Sequence, residues 1–275
     1  MNKILDNFKR KFLQFHHAKK FSSLGANWQA NTVLFFFYLY SRLALRFELT
    51  YLPQTKIKLR QFGKEFEFIF THPTDIPVFN HIFFEGEYEI SDLKKEPLII
   101  LDLGSSVGIS VLYFHLKYPK AVIHAFEADP NTFRILKENT KNIENIKVNN
   151  ICLSDRDGEK ELFISDTSVS SSVVLRSKNQ QSVLMTAKGL DSIIKEVVST
   201  QVIDLIKFDI EGAEFEVLSA SKEKSQVAYM VGELHLDLIE GSLENFLAQF
   251  SDFKVSLKKN SSQRYAVYMK NKNLI

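Results

Sequence analysis

An apolar run, Pro97-Leu98-Ile99-Ile100, passes without a break into Leu101-Asp102-Leu103-Gly104-Ser105-Ser106-Val107-Gly108 and then into Ile109-Ser110-Val111-Leu112-Tyr113-Phe114-His115-Leu116. Hydrophobic residues that end in an acid, meet a glycine-punctuated turn and resume at helical spacing predict a buried strand, a tight turn and a helix. Gly104 lets the backbone turn sharply and come close to a ligand, Gly108 lets the helix pack near its strand, and the first helical amides point into the turn. In outline this is a nucleotide-cofactor loop. The spacing alone is weakly diagnostic, because Ser106 stands where the dinucleotide fingerprint G-x-G-x-x-G has its second glycine.

The next strand strengthens the assignment. Ala121-Val122-Ile123-His124-Ala125-Phe126 predicts a second strand, and it ends in Glu127, at the distance where an acid accepts hydrogen bonds from a ribose diol. Asp129-Pro130-Asn131 opens a helix running to about Thr140, with proline near its start. Ile146 to Ile151 predicts a third strand, whose carboxyl end, Cys152 to Asp155, is expected beside the cofactor. Val202 to Asp209 and Val227 to His235 predict two further core strands, the first turning through Ile210-Glu211-Gly212-Ala213-Glu214 into a helix. Phe253 to Leu257 and Tyr265 to Met269 pair as a closing antiparallel hairpin. The succession is that of an α/β doubly wound sheet.

Before that core, the chain is different in kind. Residues 1–48 mix basic and aromatic side chains, as in Asn7-Phe8-Lys9-Arg10-Lys11-Phe12 and His16-His17-Ala18-Lys19-Lys20, and predict helices. Lys56 to Arg60 and Glu65 to Phe70 alternate polar with apolar around Phe62-Gly63-Lys64, a β-hairpin signal. Asp75 to Phe84 predicts a helix. The organisation expected is therefore a helical and hairpin extension over 1–80 and an α/β domain over 81–275. Between the later strands, Asp157-Gly158 is a turn signal, Lys160 to Ile164 and Ser182 to Thr186 predict short strands, and the serine-rich Ser165 to Ser172 predicts a mobile loop.

Charge and cysteine content narrow the partners. A net charge of +2 argues against a dedicated nucleic-acid binder. The single cysteine, Cys152, excludes an internal disulfide and a cysteine-built zinc site, and points to a reducing, cytoplasmic setting. Thr32 to Tyr40 is apolar but too short for a bilayer, which needs about 20 residues. It predicts a core or interface helix, and no transmembrane span or secretory leader is expected. A second copy of the chain or a peripheral membrane surface is the contact expected for residues 1–48, set against the commoner reading of a solvated basic helix face.

Several of these motifs, in this order and spacing, resemble the FkbM-type methyltransferases, class I enzymes that use S-adenosylmethionine. The matching pieces are Asp102 to Gly108, Ala125-Phe126-Glu127-Ala128-Asp129-Pro130, Leu153-Ser154-Asp155-Arg156-Asp157-Gly158, Gly189-Leu190-Asp191, Asp204 to Glu214 and Glu233-Leu234-His235. Ser105, Ser106 and Ala128 depart from the residues most frequent in that family. The resemblance runs from about Phe84 to Tyr268. It implies a Rossmann-like, mostly parallel seven-stranded sheet with helices on both faces. It also implies S-adenosylmethionine at Asp102, Gly104, Ser105, Ser106, Gly108, Glu127, Ala128, Ser154, Asp155 and Asp209, with Glu85 and Tyr88 flanking its methionine end. The implied reaction is O-methylation of a sugar, glycan or polyketide-like small molecule.

The chemistry asks for a proton acceptor, because a hydroxyl nucleophile must lose its proton, and Asp209, Glu211 and His235 are the candidates. His235 has the ordinary pKa best suited to the task. Lys207, inside an apolar strand, should pair with a neighbouring acid. Asp209, Glu211, Glu214, Glu233 and His235 also offer metal donors, yet the sequence does not decide for a metal and none is assigned. A nicotinamide-dependent oxidoreductase on a similar sheet, or a methyltransferase fold kept as a scaffold, are the competing readings.

Overall fold

A computed structural model of the chain describes residues 13–164, 181–197, 202–239 and 241–275. The basic stretch 7–12 and the serine-rich stretch 165–172 lie outside these. The backbone forms two compact units, one ending at Glu85 and the other running from Gly86 to Ile275.

In the first unit, α1 (residues 13–22) precedes α2 (Trp28–Arg46), which starts where the Asn27 side chain accepts from the Ala30 amide at 2.9 Å. Ala30, Leu34, Tyr38, Ser41 and Ala44 recur at helical spacing and are buried, whereas Trp28, Phe36 and Leu43 are exposed. Strands β1 (Thr55–Gln61) and β2 (Lys64–Phe70) form the expected hairpin; its two turn residues, Phe62 and Gly63, both take positive φ, as a tight two-residue turn demands. Helix α3 (Asp75–Phe84) coincides with its prediction. Phe21, Phe68, Phe70 and Phe79 pack into a fully buried aromatic core. Among the described residues no helix is long and apolar enough to cross a membrane.

The second unit runs β3 (Ile99–Leu103), α4 (Ile109–Lys117), β4 (Val122–Phe126), α5 (Pro130–Thr140), β5 (Ile146–Asn149), β6 (Cys152–Ser154), β7 (Gly158–Phe163), β8 (Ser182–Gly189), α6 (Leu190–Val197), β9 (Ile203–Phe208), α7 (Glu214–Ala220), β10 (Val227–His235), α8 (Leu243–Ala248), β11 (Phe253–Lys259) and β12 (Arg264–Asn271). Seven strands form one sheet in the order β5-β4-β3-β9-β10-β12-β11, parallel except where β12 pairs antiparallel with β10 and β11. This is the Rossmann-like α/β sheet with a closing hairpin that the motifs imply. Asp204 on β9 locks its start, its Oδ2 accepting from the Leu98 and Ile99 amides at 2.9 and 3.0 Å.

The third strand is shorter than expected. Beyond Asn149 the chain is tied by side chains instead of a ladder, with Asn150 Nδ2 donating to the carbonyls of Glu127 and Ala128 at 2.8 and 2.9 Å. Cys152 to Ser154 does not prolong that strand. It pairs in parallel with β8 in a separate three-stranded sheet, β6-β8-β7.

Candidate functional site

Sheet register brings the candidate residues together. Leu103 pairs with Phe126 on one side and Phe208 on the other, so β3, β4 and β9 end level. Gly104, Glu127 and Asp209 therefore come next at one edge. The strand order also reverses there, β4 and β5 extending one way from β3 and β9 and β10 the other, which is where doubly wound sheets hold ligands.

The bend after β3 is held by its own backbone. Gly104 and Ser105 both donate their amides to the Phe126 carbonyl, at 3.0 and 2.9 Å. Gly104 has φ +77°, and a Cβ there would lie 1.9 Å from the Asp209 carbonyl oxygen. Its close neighbour is thus the tip of β9, and glycine is required because two strand ends meet. A Cβ on Gly108 would fall 2.9 Å from Leu136 Cδ1. That glycine makes room for α5, whereas the sequence pattern suggests that it eases α4 onto its own strand.

Ser105 turns inward. Its hydroxyl donates to the Asp102 carbonyl at 2.9 Å and accepts from the Phe126 amide at 3.1 Å, and the residue is buried. It ties β3 to β4. Ser105→Ala is expected to destabilise the fold by about 1–2 kcal/mol, the cost of leaving buried partners unpaired, and denaturant unfolding measures it.

Glu127 is fixed by two amides on either side of it in the chain. Ser106, at φ +48°, donates to Oε2 and Asp129 donates to Oε1, both at 2.8 Å. Each carboxylate oxygen keeps a further acceptor direction. Burial drives the pKa up to about 7 in spite of the two amides. Beneath the bend, the fully buried Asp102 carboxylate stands 3.2 Å from Lys207 Nζ, which also donates to the Gly104 carbonyl at 2.6 Å. Asp102 thus supports the bend from below, and Lys207 has the neighbouring acid that its place in an apolar strand requires.

A second constellation surrounds His235. The chain turns immediately after Asp209, with Glu211 and Gly212 at φ +49° and +103°. The turn carries both Asp209 and Glu211 toward the imidazole, their oxygens each 3.8 Å from Nε2. Glu233 Oε2 lies 3.3 Å from the same nitrogen, while Nδ1 donates to Glu214 Oε1 at 2.9 Å. Glu214 is fully buried and accepts also from the Ile210 and Gly212 amides. Burial opposes a charge on His235, but Glu214, Glu233 and Asp209 outweigh it and push the pKa up to about 11. The ordinary imidazole value that favours His235 as proton acceptor does not survive these neighbours. Burial raises Asp209 to about 6, opposed by Lys207 and His235.

The remaining predicted residues are spread more widely. Tyr88 reaches this edge, its hydroxyl donating to Asp209 Oδ2 at 3.3 Å. Glu85 closes the first unit, where it accepts from Asn80 Nδ2 at 2.7 Å. Ser154 and Asp155 belong to the small sheet: the Ser154 hydroxyl and the Asp155 amide both donate to Glu216 Oε1, which also pairs with Lys160. Ala128 packs on the apolar cluster of that sheet. Sequence reasoning missed Asn150, which holds the backbone on both sides of the Glu127–Ala128 bond, although paired asparagines at a strand end are a known backbone-bonding signal. It also missed Glu214 as the group that orients His235.

Residues 102–254, more than half of the chain, match the profile of the Methyltransferase FkbM domain. Methyltransferase 1 of Beauveria bassiana is 24% identical over 211 residues, covering 69% of this chain and 80% of that protein. The 2-O-methyltransferase NoeI of Sinorhizobium fredii is 27% identical over 150 residues, covering 49% of this chain and 61% of its own. The 31-O-demethyl-FK506 methyltransferase FkbM of Streptomyces tacrolimicus is 22% identical over 182 residues, with 54% and 69% covered.

Proposed function

The chain belongs to the FkbM methyltransferase family, whose cofactor is S-adenosylmethionine, and on that premise we propose that it methylates a hydroxyl of a sugar, glycan or polyketide-like small molecule. The observation that carries the reading is Glu127, pinned at the tip of β4 by the Ser106 and Asp129 amides with one acceptor direction left on each oxygen. That pair of acceptors fits a ribose diol. The acidic edge formed by Asp209, Glu211 and Glu233 suits a cationic ligand beside it.

When bound, S-adenosylmethionine supplies a methyl group on a positively charged sulfur, open to in-line displacement. Glu127 holds the ribose, and Gly104 to Gly108 set the floor on which the cofactor lies. Asp209 and Glu211, exposed by 30% and 19%, accept the hydrogen bond of an incoming hydroxyl and take up its proton. His235, buried behind them, is a positioning residue that keeps the carboxylates convergent. Two of these relatives, from Sinorhizobium and Streptomyces, are named for methylation at oxygen, which supports a hydroxyl acceptor. The single, buried Cys152 supports a reducing, cytoplasmic location.

The test is transfer of labelled methyl from S-adenosylmethionine to a panel of glycans and small alcohols. The expected product is an ether that survives mild alkali. Transfer confined to carboxyl or amine acceptors would overturn the hydroxyl assignment.

A further inference from the structure

His235, 1% exposed, has one ring nitrogen satisfied and one not. Glu214 already accepts two backbone amides, so it is an acceptor toward the ring and Nδ1 carries a proton. Nε2 then faces a space walled by carboxylates and makes no hydrogen bond. Without a cation those carboxylates favour a proton on Nε2, which a bound cation would displace, yet none of them closes to about 2.7–2.9 Å, the length of a charge-assisted bond. Instead Glu233 Oε2 stands at 3.3 Å and Asp209 Oδ1 and Glu211 Oε2 at 3.8 Å. The Glu233 contact is within hydrogen-bond distance but not aligned as one, the other two are longer, and the set is close to the spacing an ion requires. Ligands on adjacent corners of an octahedron with bonds of about 2.1–2.3 Å are roughly 3.0–3.3 Å apart, and opposite ones roughly 4.2–4.6 Å. The ligand atoms of Asp209, Glu233 and His235 all lie within 4.8 Å of one another.

Each of the three is also held by its other atom. His235 Nδ1 is bonded to Glu214 at 2.9 Å, Glu233 Oε1 accepts from Asn260 Nδ2 at 3.0 Å, and Asp209 Oδ2 accepts from Tyr88 at 3.3 Å. Metal ligands are commonly held by outer partners of this kind. Asp209 Oδ1, like His235 Nε2, is buried without a hydrogen bond. We propose that Asp209, Glu233 and His235 bind one divalent cation, with Glu211 at its margin. Two carboxylates and one imidazole select a cation of the Mn²⁺ or Mg²⁺ kind over a thiophilic one. Bound there, the cation faces the acceptor side of the edge, where it would hold the substrate hydroxyl and favour its alkoxide, leaving Glu211 to receive the proton. That catalytic role rests on the proposed methyl transfer to a hydroxyl; the binding site itself does not.

The experiment uses the full chain, stripped of metal with a chelator and titrated with Mn²⁺ alone at neutral pH, free Mn²⁺ being followed by its electron paramagnetic resonance signal. One Mn²⁺ per chain is expected. Glu233→Gln and Asp209→Asn, whose side chains are partly exposed and should still fold, are expected to weaken binding at least tenfold, with circular dichroism as the folding control. No uptake by the folded parent, or uptake that both variants leave unchanged, would overturn the site and leave His235 as the centre of an ion-pair cluster. Methyl transfer is scored in a separate assay, so its failure removes the proposed reaction and not the cation.

Discussion

Lys207→Met is expected to cost about 3–5 kcal/mol of folding stability, the range for removing one partner of a buried ion pair. Lys207 is 2% exposed and Asp102 is not exposed at all. Neither oxygen of the Asp102 carboxylate has a hydrogen-bond partner, so the ammonium 3.2 Å away is what compensates its charge. Without it the charge would stand alone between β3 and β9 in the middle of the sheet. The Gly104 carbonyl would lose its 2.6 Å bond at the same time. Replacing both partners by apolar residues, Asp102→Leu with Lys207→Met, should recover most of the loss, because the pair itself contributes little net stability. Denaturant unfolding of the two variants beside the parent decides it. A single variant within about 1 kcal/mol of the parent would mean that water or a shifted side chain already screens Asp102.

Much of the fold is legible in the sequence because apolar runs and punctuation agree. Asp75 to Phe84 and Val227 to His235 match their elements to the last residue, the first because its apolar run stops at Glu85-Gly86. The stretch after β5 is where this fails. Ile146 to Ile151 is apolar enough for a strand, but Asn149 and Asn150 spend their side chains on the carbonyls of β4 and its tip, and the ladder stops. Single-sequence periodicity does not reveal such side-chain ties. The candidate site divides in the same way. Residues at strand ends, Gly104, Glu127 and Asp209, can be placed together because parallel register aligns their tips. Ser154 and Asp155 cannot, because the strand that carries them belongs to a different sheet. The charge state of His235 is hidden for another reason: Asp209 and Glu211 belong to the turn after another strand and Glu214 opens the helix that follows it, and they converge on the imidazole because β9 ends in a left-handed turn at Glu211.

Glu127→Gln should weaken binding of S-adenosylhomocysteine by about 100-fold. A hydrogen bond to a charged acceptor contributes about 1.5–3 kcal/mol, and the amide forfeits at least one while setting its NH₂ against the amide of Ser106 or Asp129. The same residue sets a pH dependence. Burial holds the Glu127 pKa up at about 7, whereas accepting two ribose hydroxyls demands the carboxylate. Binding must therefore expel a proton whenever the free protein carries one. Affinity is accordingly flat above about pH 8 and falls as pH drops through 7, approaching tenfold per pH unit on the acid side. Glutamine has no proton to lose, so the variant should bind weakly with no such slope. Calorimetry of both proteins between about pH 6 and 8, in buffers of different ionisation enthalpy, reads affinity and proton release together. A parent whose affinity is level across that range without proton release, or a variant within about threefold of it, would take Glu127 away from the ribose; at RT ln 3, threefold is under 1 kcal/mol, less than one charged hydrogen bond.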